Sequence, residues 1–135
     1  MIVYERPVRF EDVDAAGIVF FGRFMNYAHE AMEHFFGGVA GGYVDLITRR
    51  KIGFPAVHVT CDFRSPLRYG DVVRIAVSVA KIGNTSSTLR YEFTRADNGA
   101  SVALMEHVTV ASDLVSLQKL ALPDDVRAHL ELHRH

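Results

Sequence analysis

The chain has 135 residues, of which 49% are hydrophobic, and a formal net charge of −1. That length argues for one domain spanning residues 1–135, and that apolar content excludes a disordered chain. The near-zero charge gives no global field for nucleic acid or an anionic membrane, so any anionic ligand must be met by local cations.

One cysteine, Cys61, rules out an intramolecular disulfide and fits a reducing, cytoplasmic compartment. The opening MIVYERPVRF mixes Glu5, Arg6 and Arg9 with apolar residues, so it reads as neither a signal peptide nor a membrane span. Residues 2–10 alternate, with Tyr4, Val8 and Phe10 on one face and Glu5 and Arg9 on the other. This predicts a strand, and Pro7 marks an edge or a bulge.

Residues 12–36 follow, DVDAAGIVFFGRFMNYAHEAMEHFF. Asp12 and Asp14 sit in a short polar turn, then come Gly17 and an apolar run from Ile18 to Phe21. The period then changes. Phe24, Tyr27, Ala28, Ala31 and Phe35 recur at helical spacing, with Asn26, His29, Glu30 and Glu33 on another side. Met25, Met32 and Phe36 widen the apolar side, as expected for a helix wrapped by a sheet. A carboxylate-bearing loop thus precedes a helix start, where backbone N–H groups are free and the dipole is positive. Such an arrangement suits acyl transfer.

Gly37, Gly38, Gly41 and Gly42 end the helix, and Tyr43 to Ile52 predict a shorter second one with Arg49, Arg50 and Lys51 near its end. From Ala56 the period is two. Val57, Val59, Cys61 and Phe63 share one face; His58, Thr60 and Asp62 take the other. After Pro66 and the Tyr69-Gly70-Asp71 turn, Val73, Ile75, Val77 and Val79 form the inward face of the next strand. Beyond the Gly83-Asn84 turn, Leu89, Tyr91 and Phe93 alternate with Arg90, Glu92 and Thr94. Asp97-Asn98-Gly99 predicts a tight hairpin with positive φ at both central residues. Ser101 to Ala111 is the last strand, in which Glu106 and His107 interrupt the pattern and leave the inward face open. Pro123 starts a short polar C-terminal helix. The order implies an α+β domain, a five-stranded antiparallel sheet curled around a long central helix. One helix cannot cover the sheet's outer face and edges, so a homodimer at least is expected.

The run Asp12-Val13-Asp14-Ala15-Ala16-Gly17-Ile18-Val19-Phe20-Phe21 resembles the signature of the hot-dog-fold thioesterases, most closely the 4-hydroxybenzoyl-CoA thioesterase branch. Asp62 to Asp71, DFRSPLRYGD, is similar to that family's second-strand ending and turn. The resemblance implies a hot-dog fold and hydrolysis of an acyl- or aryl-CoA by a dimer or tetramer with sites at the subunit interface. It implies no metal and no cofactor, coenzyme A being part of the substrate. It places the catalytic carboxylate on Asp14 and the carbonyl-polarising N–H on Phe21, with Gly22 its neighbour, and it matches the signature glycine to Gly17. Asp12 is left a structural part of the loop.

The chemistry fits so small a set. A thiol has a pKa of roughly 8–9, so the thiolate departs near neutral pH with little help from an acid. Asp14 would attack the carbonyl or activate a water, and both routes stay open. The bland alternative is that Asp14 merely forms its turn. The family branch acting on short aliphatic acyl-CoAs carries histidine at the position of Phe21. Here Phe20, Phe21 and Phe24 outline an apolar acyl pocket for aromatic or medium-chain groups, although Phe24 also reads as core. The resembled branch meets coenzyme A phosphates with a basic cluster after its third strand. This chain has Asn84, Thr85, Ser86 and Ser87 there, with Arg64, Arg68, Lys81 and Arg90 as candidate substitutes. His58 and Thr60 are candidates for the interface pocket, and Glu30 is the fallback carboxylate. His129 and His133 stand at i, i+4 in what reads as an exposed tail with no third metal ligand. An Asp-x-Asp phosphatase would need alternating strands and helices. The competing readings are a non-catalytic acyl-CoA-binding module and a thioesterase for acyl carrier protein substrates.

Overall fold

Five antiparallel strands lie side by side, and a thirteen-residue helix packs against one face of them. The computed structural model describes residues 1–135. In chain order the elements are β1 (Ile2–Pro7), α1 (Arg23–Phe35), α2 (Gly42–Thr48), β2 (Ile52–Gly53), β3 (Ala56–Phe63), β4 (Val72–Ile82), β5 (Ser86–Arg95), β6 (Ser101–Val110), β7 (Ser112–Asp113) and α3 (Asp124–Leu132). The main sheet runs β1-β4-β5-β6-β3, and β2 pairs with β7 in a separate ribbon. This is the predicted α+β architecture.

The period-two and helical patterns meet in one core. Cross-strand partners Ile75 and Phe93, Val77 and Tyr91, and Val79 and Leu89 share the face that α1 covers. From the helix, Tyr27, Ala31 and Phe35 are fully buried among them. Phe24 meets Phe93 edge-on at 5.5 Å and Phe63 at 5.1 Å, so the first turn of α1 is pinned at both strands.

Several expectations are corrected. β1 stops at Pro7, and Phe10 does not continue its inward face. It begins a 3-10 turn, is 77% exposed and leans on Tyr69. The second helix ends at Thr48 rather than Ile52, because Lys51 adopts a left-handed φ of 55° and Ile52 joins the β2–β7 ribbon. In β3, Val59 and Cys61 reach the core but Val57 and Phe63 stay exposed, since β3 is an edge strand with an irregular register near Ala56. The Asp97-Asn98-Gly99 turn has positive φ only at Gly99. Its loop is longer than a two-residue hairpin: Arg95 and Ala100 close it, and Asn98 Oδ1 accepts from Ala100 N–H. The face of β6 was illegible for a physical reason. A bulge opposite Phe93 and Thr94 lets both Val102 and Ala103 be buried, after which Met105 and His107 point inward and Glu106 outward to Arg90. The C-terminal helix is amphipathic rather than polar, with Val126, His129 and Leu130 buried.

Phe35→Ala should cost about 3–5 kcal/mol, the range for emptying a fully buried aromatic site. Urea unfolding of the variant beside the parent chain measures it.

Candidate active site

The loop between β1 and α1 is a small hairpin of its own. Val13 bridges to Val19, Asp14 N–H donates to Ile18 O at 3.0 Å, and Gly17 N–H donates to Asp14 O at 2.9 Å. Gly17 closes this turn at φ 78°. A Cβ there would meet nothing within 4 Å, so glycine is required by the backbone conformation and not by space. Asp14 Oδ1 accepts from Ala16 N–H at 2.9 Å. The turn-forming role of Asp14 is therefore real, and it holds one carboxylate oxygen while Oδ2 has no partner in the chain.

The hairpin returns into the start of α1. Phe20 O accepts from Arg23 N–H, and Phe21 O accepts from Phe24 N–H. The N–H groups of Phe21 and Gly22 have no acceptor in the chain, as expected of a helix start with no side-chain cap. Asp14 and Phe21 both line a cavity of about 450 Å³. Ile18, Phe20, Phe24 and Phe63 supply most of its apolar wall, and Arg64 and Ser65 add polar groups. Ile18 and Val19 are fastened to the segment before β4, Val19 N–H donating to Leu67 O at 2.9 Å. The two sequence motifs thus lie side by side. A concave, mainly apolar site with a few converging polar groups is the usual form of a small-molecule pocket.

Behind this loop lies a charged cluster. Asp12 is fully buried. Its Oδ2 accepts from Arg6 Nη1 and from Arg9 N–H, both at 2.8 Å. Arg6 is itself 5% exposed, donates through Nε to Glu30 Oε1 at 3.0 Å and lies over the Tyr27 ring. Tyr4 donates to the same Glu30 oxygen at 2.9 Å. Arg23 Nε stands 3.4 Å from Asp12 Oδ1. Tyr27 Oη lies beside the carboxylate without completing a hydrogen bond. Burial opposes ionisation of Asp12, but the Arg9 N–H, the Tyr27 hydroxyl and Arg6 outweigh it and hold the carboxyl below its ordinary range. Burial, and then the Asp12 charge, push the Tyr27 phenol upward.

Of the residues singled out in the sequence, the cavity brings together Asp14, Phe20, Phe21, Phe24 and Arg64. Gly17 and Gly22 shape the backbone beside it. His58 and Thr60 are exposed on β3 and do not line it. The β4–β5 turn does not line this cavity; Asn84 O accepts from Leu122 N–H, Thr85 O from Ala111 N–H, and Ser86 O from Gly83 N–H within the turn. Ser87 is buried facing Thr109. Arg90 pairs with Glu106 at 2.8 Å. Glu30 belongs to the cluster around Arg6 rather than to the cavity. His129 is not in an exposed tail: it is 7% exposed and donates through Nε2 to Phe35 O at 2.8 Å. Sequence reading missed Phe63, Ser65 and Pro66 as lining residues and missed the Arg6–Asp12–Arg23 cluster entirely. The adjacency of Phe63 to Arg64 at a strand end was the available signal for the first group. Nothing in the spacing of Arg6, Asp12 and Arg23 announced the second.

A model of the thioesterase-like superfamily matches residues 8–130. A 1,4-dihydroxy-2-naphthoyl-CoA hydrolase of Nostoc punctiforme is 36% identical over 97% of this chain and 87% of its own length. One from Prochlorococcus marinus is 30% identical over 96% of the chain and 89% of its own length. Among solved structures, a gentisyl-coenzyme A thioesterase superposes with a TM-score of 0.85 at 32% identity, covering 96% of this chain and 99% of that one. A 1,4-dihydroxy-2-naphthoyl-CoA thioesterase from Synechocystis gives 0.86 at 26% identity, covering 95% and 93%.

Asp12 sets an acid limit on stability. Its carboxyl ionises lower in the fold than in the unfolded chain, so its contribution is complete above the unfolded value of about 4. That contribution drains away as pH falls through the lower folded value. Asp12→Asn should cost about 3 kcal/mol near neutral pH, because Arg6 loses a buried partner. It should also flatten the fall in Tm between about pH 5 and about pH 2. Circular dichroism melts across that range measure both, and an unchanged acid slope in the variant would refute the assignment.

Proposed function

The chain belongs to the thioesterase-like superfamily, and from that premise we propose that it hydrolyses an aromatic acyl-CoA to the free acid and coenzyme A. The observation that carries this reading is one cavity lined by Asp14, by Phe21, whose N–H has no acceptor in the chain, and by three further phenylalanines. The thioester carbonyl sits between the carboxylate and the helix start. Asp14 Oδ2, the oxygen the turn leaves free, attacks the carbonyl or takes the proton of an attacking water. The Phe21 N–H, with Gly22 next to it, receives the developing oxyanion, and one such donor is worth about 3 kcal/mol. The thiolate then leaves unaided; where Asp14 itself has attacked, this leaves a mixed anhydride on its carboxyl, which water hydrolyses to release the free acid and restore the carboxylate. No metal or cofactor enters this scheme.

The acyl group is an aromatic ring carrying hydroxyls. Both 1,4-dihydroxy-2-naphthoyl and gentisyl, the acyl groups named for the relatives, are hydroquinone rings with the carbonyl beside a hydroxyl. Phe20, Phe21, Phe24 and Phe63 offer ring faces and edges to such a group. The exposure of Arg64 at the cavity supports a contact with an anionic part of the substrate. The free edge of β3 and exposed Phe63 next to the site support association of two copies along that side.

Thiol release with 5,5′-dithiobis reagent, run over aryl- and alkyl-CoAs, tests the reading. Hydroxyaryl-CoAs should be turned over fastest, and binding without thiol release would make the chain a binding module. Asp14→Asn should lose at least about 100-fold in turnover on the best substrate. Near-normal activity in that variant removes Asp14 from the chemistry. Light scattering after size exclusion should give at least a dimer at micromolar concentration, and a monomer would count against the assembly.

A further inference from the structure

Arg23 is the first residue of α1, a poor place for a cation, because the helix dipole is positive there. No acidic residue occupies the first turn to offset it. Its side chain runs back from the helix and touches three things. Nη2 donates to Glu11 O at 3.1 Å. Nε faces the buried Asp12 Oδ1 at 3.4 Å. Cζ lies 5.4 Å from the centre of the Phe20 ring. Glu11 and Asp12 begin the hairpin that carries Asp14, whereas Phe20 is a cavity wall next to the Phe21 N–H. Arg23 does not line the cavity itself.

We propose that Arg23 is a positioning residue for hydrolysis: its guanidinium fixes the carboxylate-bearing hairpin against the helix start, so that Asp14 and the Phe21 N–H address the same carbonyl. The inference rests on the role of Asp14 argued above. A planar guanidinium suits the task, since one rigid group donates in the direction of Glu11 and Asp12 while its face covers an aromatic ring. The contact with Asp12 gives the hairpin a second anchor, because Asp12 is already clamped by Arg6 and the Arg9 N–H. An unfavourably placed cation is thereby held by a buried anion, a carbonyl and a ring. Displacement of a reacting group by about 1 Å can cost on the order of 100-fold in rate, so loss of this brace is read in turnover before it is read in binding.

The test compares Arg23→Met, Arg23→Lys and Asp14→Asn on the best aryl-CoA from the panel. Arg23→Met keeps the aliphatic stem and should lower kcat at least about tenfold with KM within about twofold. Methylguanidinium added at millimolar concentration should restore part of the kcat of Arg23→Met and leave the parent chain unchanged. Arg23→Lys keeps the charge without the fork and should remain impaired. Full kcat in Arg23→Met, with Asp14→Asn inactive, overturns the inference alone. So does recovery to parental kcat in Arg23→Lys, which would make the role one of charge. A loss in Arg23→Met that follows Tm and does not respond to methylguanidinium also overturns it, as a purely structural effect. Near-parental turnover in Asp14→Asn overturns the functional reading and this inference with it.

Discussion

One buried carboxylate organises this end of the molecule. Asp12 has no exposure to water, and every charge near it is arranged around that fact. Removing a carboxylate from water costs several kcal/mol, which only close partners can offset. Arg6 from β1, the Arg9 N–H from the turn and Arg23 from α1 are those partners, and they come from three different pieces of backbone. Satisfying one anion therefore fixes strand, loop and helix relative to one another. Arg6 in turn would be a costly buried cation without Asp12 and Glu30. The cluster gives orientation more than net stability, as buried ion pairs generally do when they help at all.

The neighbouring carboxylate shows how environment separates two identical side chains. Asp12 closes the 3-10 turn and Asp14 lies two residues on in the hairpin, and one points into the protein while the other lines a cavity. Asp12 has its Oδ2 oxygen doubly engaged. Asp14 has one oxygen engaged by its own turn and one free. The first is suited to holding a loop, and the second is the one proposed to meet a substrate. A thioester needs little more than this, because its leaving group departs as a stable anion.

Much of this was legible in the sequence, and the exceptions have physical causes. Helix α1 was readable because Phe24, Tyr27, Ala31 and Phe35 keep strict helical spacing, and β4 because Val73, Ile75, Val77 and Val79 alternate without a break. β6 was not, because the bulge at Val102 shifts the phase within one strand. Phe10 misled because its alternation outlasts the ladder that β1 makes with β4. The resemblance to the thioesterase signature pointed to Asp14 and Phe21, and both residues line one cavity. The pairing of Arg6 with Asp12 and Glu30 depends on how the helix lies across β1, which no local pattern reports.

The bond from Ala16 N–H to Asp14 Oδ1 has a stereochemical consequence. A trigonal carbonyl carbon has two prochiral faces. On the proposed role of Asp14, a carboxylate with one oxygen tethered by its turn favours presenting one of those faces to the free oxygen. On the same proposal a ring substituent beside the carbonyl lies to one side of the cleft, and regioisomers of one acyl group are told apart by shape, without a dedicated polar contact to each.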